Sequence, residues 1–117
     1  MRLLIAGPRD WVDEEYFEMA IARFVRDYGM PSEVVSGACK TGVDNLGELW
    51  AERNGMPIKR FEADWVKFGK PAGPIRNSEM AVYAEAALIF TLPHSKGSND
   101  MLKKFRDTKK LLVHHEC

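Results

Sequence analysis

The run Ala86-Ala87-Leu88-Ile89-Phe90-Thr91-Leu92 carries no charge and stops at Pro93, and it is the strongest strand signal in the chain. A continuous apolar run of this length, without alternation, reads as a strand covered on both faces, as in a parallel sheet. Leu3-Leu4-Ile5-Ala6 before Gly7-Pro8 has the same character. Shorter strands are expected at Glu33–Ser36, Ile58–Phe61 and Leu111–Val113. Helical periods fill the gaps. Asp13 can cap a helix whose Phe17, Ile21, Phe24 and Tyr28 recur at three- and four-residue steps, and Gly29 and Pro31 end it. Residues 43–54 carry Leu46, Leu49, Trp50 and Arg53 on one side, with Trp50 read as core. Pro74 suits the first turn of a helix running to about Ala84, where its missing N–H is not needed. Met101, Leu102 and Phe105 mark a short last helix, and Asp64–Ala72 is the longest loop. Alternating β and α units predict an α/β fold: one Rossmann-like, doubly wound parallel sheet of five strands in the order 3-2-1-4-5, forming a single domain over residues 1–117.

Composition narrows the function. Of 117 residues 45% are hydrophobic and 29% charged, an ordinary globular balance. No apolar run approaches the ~18 residues that cross a bilayer, and the N-terminus lacks a signal-peptide pattern. The two cysteines, Cys39 and Cys117, match no metal or redox spacing, which favours a reduced, cytoplasmic protein without a metal. Seventeen basic residues balance seventeen acidic ones. A nucleic-acid binder draws its affinity from phosphate neutralisation and carries a positive excess, so nucleic acid is a disfavoured partner here.

In a sheet of this order, ligands bind beyond the carboxyl ends of the strands, where the order reverses between the first and fourth. The segments arriving there are Gly7–Trp11, Ser36–Gly42, Ala63–Trp65 and Pro93–Ser98. Gly37 and Gly42 bracket a strand-to-helix turn like a phosphate loop, but Val43 and Asp44 stand where an ATPase needs Lys and Ser/Thr. What remains is a glycine turn at a helix N-terminus, which favours anions, or a plain turn in which Asp44 complements the dipole. Gly97-Ser98 before the last helix repeats the pattern. Arg9, Lys40, Arg76 and Lys96 could neutralise phosphate there, and Trp11 and Trp65 follow strand ends where a base could stack. His94 has no partner at a metal spacing, and no GxGxxG or GxSxG occurs.

These residues carry a resemblance. GPRDW at 7–11, SGACKTGVDNLGELWA at 36–51, ADW at 63–65, AGPIRNSEM at 72–80 and GSNDM at 97–101 resemble, in this order, the YspA-like (YpsA-related) branch of the SLOG superfamily. That resemblance implies a small Rossmannoid protein of bacteria or phages that binds a nucleotide or nucleotide-derived signal. Arg76–Met80 is similar to the R-K-x-x-M of LONELY GUY-type phosphoribohydrolases, with Asn77 in place of Lys. Gly97–Met101 is similar to the end of their P-G-G-x-G-T-x-x-E, with Met101 at the catalytic Glu position. SGACKTGVD is similar to the S-G-x-A-x-G-I-D of the single-strand-binding DNA-processing protein A family.

The leading expectation is therefore a cytoplasmic module for a nucleotide or ADP-ribose-like ligand, with no cofactor and no membrane partner. Its ligand-binding residues would be Gly7, Arg9, Trp11, Gly37, Ala38, Gly42, Asp44, Asp64, Trp65, Arg76, Asn77, Gly97 and Ser98, with phosphates over Gly37, Gly42 and Gly97. Two alternatives stay open: a nucleoside monophosphate N-glycosidic hydrolase using Glu79 or Asp100 as its carboxylate, and a single-stranded DNA accessory protein. Turnover, and assembly into a dimer or tetramer, stay open too.

Overall fold

The computed structural model describes residues 1–11 and 13–117. Its elements are β1 (Arg2–Ala6), α1 (Glu14–Tyr28), β2 (Glu33–Ser36), α2 (Gly42–Arg53), β3 (Ile58–Arg60), α3 (Trp65–Phe68), α4 (Ala72–Tyr83), β4 (Ala86–Thr91), α5 (Lys96–Asp107) and β5 (Leu111–Glu116). The strands form one sheet in the order β3-β2-β1-β4-β5, and every pairing is parallel. This is the predicted doubly wound α/β topology.

The two-residue period of a strand divides the core between the faces of the sheet. Leu3, Ile5, Leu88 and Phe90 point toward α1 and α2, where Phe17, Ile21, Phe24, Val43 and Trp50 meet them. Leu4, Ala6, Ala87 and Ile89 point the other way, onto Met80, Ala81, Met101, Leu102 and Phe105 of α4 and α5. Both faces of β1 and β4 are buried, which is why their sequences are unbroken apolar runs.

Local chemistry sets the helix ends. The Asp13 side chain accepts the Tyr16 N–H at 3.0 Å and starts α1. At the end of α4, the Lys110 ammonium donates to the carbonyls of Ala81, Val82 and Ala84 at 2.9, 3.1 and 2.7 Å, covering groups the helix cannot satisfy itself. Some boundaries differ from the sequence reading. Helix α4 begins at Ala72, so Pro74 is its third residue, still within the turn that needs no amide donor. Helix α5 begins at Lys96, five residues before its first apolar residue, so Gly97 and Ser98 lie inside its first turn rather than ahead of it. The expected long loop contains α3, started by Asp64, whose carboxylate accepts the Lys67 N–H at 3.0 Å. Strand β5 reaches Glu116 because it stays in register with β4 as far as Thr91.

Candidate functional site

A cleft of about 490 Å³ opens at the carboxyl edge of the sheet, where the order reverses between β1 and β4. Four segments wall it: Gly7–Asp10 after β1, the β2–α2 loop with Asp44, the inner face of α4, and His94–Ser98 leading into α5.

The β2–α2 wall is held by its own polar groups. The Ser36 hydroxyl donates to Glu48 at 2.6 Å and accepts the Ala38 N–H at 3.0 Å, and Glu48 in turn pairs with Arg60 at 2.8 Å. The Cys39 N–H donates to Asp44 Oδ2 at 3.2 Å, and the Val43 N–H to the Pro8 carbonyl at 3.2 Å. Ala38 sits at φ 64°, in the left-handed region usually left to glycine. Gly42 is at φ 68°, and a Cβ there would lie 2.1 Å from the Pro8 oxygen. The β1–α1 loop thus lies directly against Gly42, and only glycine permits it.

The α5 wall is different. Ser95, at its N-cap position, makes no side-chain cap bond. The first backbone bond to return is Asn99 N–H to Ser95 O, at 3.0 Å. The amides of Lys96, Gly97 and Ser98 have no acceptor among the described residues, as the first turn of a helix leaves them. The Ser98 hydroxyl, on a residue only 8% exposed, has no protein partner among the described residues either. These donors line the cleft at the positive end of a helix dipole.

Between the walls stands Arg76. Its Nη1 donates to the Gly37 carbonyl at 2.7 Å and its Nε to Asn77 Oδ1 at 3.0 Å. The buried Asn77 amide is oriented from the far side: its Nδ2 donates to Asp100 Oδ2 at 2.9 Å and to the Gly97 carbonyl at 3.3 Å. Lys104 also holds Asp100, at 2.7 Å. Burial pushes the Asp44 carboxyl up from 3.8 to about 6, against the Cys39 N–H and the Arg76 charge, which favour the anion. At the mouth His94 pairs with Asp10 at 3.0 Å, and that hydrogen bond holds the exposed Asp10 carboxyl below its usual range.

A model of the YspA, cpYpsA-related SLOG family matches residues 1–68. The chain is also 31% identical over 109 residues to Gene 61 protein of Mycobacterium phage D29, across 88% of this chain and 86% of that protein. The chain belongs to the YspA, cpYpsA-related SLOG family. Membership of this SLOG family suggests a nucleotide-related binding module. No solved structure matches the chain. The SLOG family match takes in the β1–α1 and β2–α2 walls, while Arg76, Asn77 and the α5 wall lie beyond it. Among the described residues no helix is long and apolar enough to cross a membrane.

Of the residues expected at the ligand, the cleft gathers Gly7, Arg9, Gly37, Asp44, Arg76, Asn77, Gly97 and Ser98. Ala38 and Gly42 shape the loop behind it without lining it. Trp11 is not free for stacking on a base. It lies parallel to Phe90 at 5.3 Å and meets the Tyr16 edge at 5.7 Å, completing the core at the end of β4. Asp64 caps α3, and Trp65 rests against Gly73 outside the cleft. Neither carboxylate proposed for hydrolysis lines it: Glu79 is exposed on the outer side of α4, and Asp100 is engaged by Asn77 and Lys104. Met101, at the position of the hydrolases' glutamate, is 2% exposed in the core and lines the floor of the cleft, where a thioether supplies no carboxylate. Cys39 and Met80 also line the cleft. Sequence reading missed both, because a thiol in a loop and a methionine on an apolar stripe look structural.

Proposed function

We propose that the cleft binds a nucleotide or ADP-ribose-like derivative, with its phosphate at the start of α5. The observation that carries this reading is the first turn of α5, where the amides of Lys96, Gly97 and Ser98 line the cleft without an acceptor among the described residues. An anion at the α5 N-terminus would satisfy those donors and meet the dipole, with Arg9, Arg76 and Lys96 nearby for charge. Of the three glycines expected beneath phosphate, this reading uses Gly97, on the α5 side. A carboxyl group on the β2–α2 wall further disfavours phosphate there.

The test is thermal unfolding with AMP, ADP, ATP and ADP-ribose. A ligand at a hundred times its Kd stabilises the folded state by about 2.7 kcal/mol. At roughly 3–6 °C per kcal/mol for a domain of this size, the midpoint should rise by about 8 °C or more. Unshifted curves with all four ligands overturn the proposal.

A further inference from the structure

Asp44 holds a position in the cleft that is unfavourable for the empty protein and useful to a ligand of particular chemistry. Its residue is 9% exposed, yet it lines the cleft. Oδ2 accepts the Cys39 N–H, and Oδ1 has no hydrogen-bond partner among the described residues. No fully buried side-chain nitrogen or oxygen is left unpaired among the described residues, so Oδ1 keeps an opening to the cleft. The missing side chain at Gly37 also leaves the carboxylate uncovered on its Oδ2 side: a Cβ there would stand 2.9 Å from Asp44 Oδ2 and 3.1 Å from Arg76 Nη1.

An ionised carboxylate only accepts hydrogen bonds. On this wall it repels phosphate and admits a hydroxyl or an amine. No Trp, Tyr or Phe lines the cleft among the described residues, so a base finds no stacking surface inside it and belongs toward the mouth, near His94. The part of a nucleotide esterified to the phosphate through its 5′-oxygen, and rich in hydroxyls, is the sugar.

We propose that Asp44 is the ribose-reading group of this cleft: its free oxygen accepts a hydrogen bond from a 2′- or 3′-hydroxyl of a 5′-phosphorylated riboside whose phosphate lies at the start of α5. The inference rests on the nucleotide reading above and adds the sugar to it. Arg76 has a matching part. Its guanidinium makes no ion pair with Asp44 and is tied to the Gly37 carbonyl and Asn77, so it leaves Oδ1 to the ligand. Ligands without a free sugar hydroxyl would present this oxygen with nothing to accept, and a buried charge left unpaired is strongly unfavourable.

Isothermal titration calorimetry of the wild-type protein with AMP and with 2′,3′-dideoxyadenosine 5′-monophosphate decides it. The dideoxy compound should bind about tenfold more weakly, or worse, the scale of one charge-assisted hydrogen bond. Asp44→Asn keeps an acceptor for the Cys39 N–H and should shrink that difference to roughly threefold or less. Equal affinities in the wild type overturn the inference alone, and this comparison needs no variant to fold. An undiminished difference in a folded Asp44→Asn protein also overturns it. Failure of AMP to bind overturns the inference, and it overturns the nucleotide reading as well if ATP and ADP-ribose fail too.

Discussion

Replacing Asp44 with Asn should make the unliganded protein more stable at neutral pH. Burial raises this carboxyl from 3.8 to about 6, so the folded state binds its proton more tightly than the unfolded chain does. Below about pH 4 the group is protonated in both states and costs nothing. As the pH rises from about 4 to 6 the unfolded chain gives up the proton first, and the folded state loses stability across that window. Above about pH 6 the whole cost is present. At 1.36 kcal/mol per pH unit it is about 3 kcal/mol. Asn removes the charge and keeps an acceptor for the Cys39 N–H, at the cost of a new amide facing the cleft. We expect about 1–3 kcal/mol of added stability at pH 7.5 and near-coincident stabilities at pH 4. Urea unfolding of both proteins at several pH values measures the difference directly, because other titrating groups contribute equally to each and cancel. A variant no more stable than wild type at pH 7.5, or a difference that does not change with pH, would refute the reasoning that burial strains this carboxylate.

Four further outcomes follow from the same geometry. Arg76→Ala should weaken AMP binding by roughly 1.5–3 kcal/mol in calorimetry, and should raise the Asp44 carboxyl further in the pH-dependent unfolding assay, since the guanidinium favours the anion. Gly42→Ala should destabilise the fold by at least about 2 kcal/mol in urea, from a positive φ and a Cβ set against the Pro8 carbonyl. Gly97→Ala, with nothing within 4 Å and an ordinary helical φ, should instead be neutral or stabilising by up to ~1 kcal/mol. Any release of adenine from AMP, followed by chromatography, should be lost in Asp44→Asn and retained in Glu79→Gln, because Glu79 does not line the cleft.

The sheet was legible because its strands are the apolar runs, and a parallel strand buried on both faces has no other pattern available. The start of α5 was not, because Lys96-Gly97-Ser98-Asn99-Asp100 is polar throughout and shows no period until Met101. Helix phase explains the carboxylates. Asn77 and Met80 face the cleft, and Glu79 lies about 160° from Asn77 around α4. Asp44 could be read from the sequence as a dipole-complementing residue. Its surroundings depend on the β1–α1 loop resting on Gly42, a contact between segments far apart in the chain, and its opening on the missing side chain at Gly37. The packing of Trp11 on the core was hidden in the sequence for the same reason. The core beyond β4 needed an aromatic side chain that the sequence places just after β1.

The two walls ask for opposite things, and this bears on nucleic acid as a partner. Helix α5 offers donors without acceptors, while Asp44 offers an acceptor in a place where an unpaired charge is unfavourable. Inorganic phosphate satisfies only the first wall. An internal nucleotide of DNA also satisfies only the first, since its sugar lacks a 2′-hydroxyl and its 3′-oxygen is esterified. A strand of DNA would further need a run of basic side chains along its path, and this chain balances seventeen Lys and Arg against seventeen Asp and Glu. A free ribonucleotide brings a phosphate to α5 and a hydroxyl donor to Asp44 in a single small molecule. On the proposed reading, the group that destabilises the empty protein is the one that separates a small ribonucleotide ligand from the DNA bound by the DNA-processing protein A family.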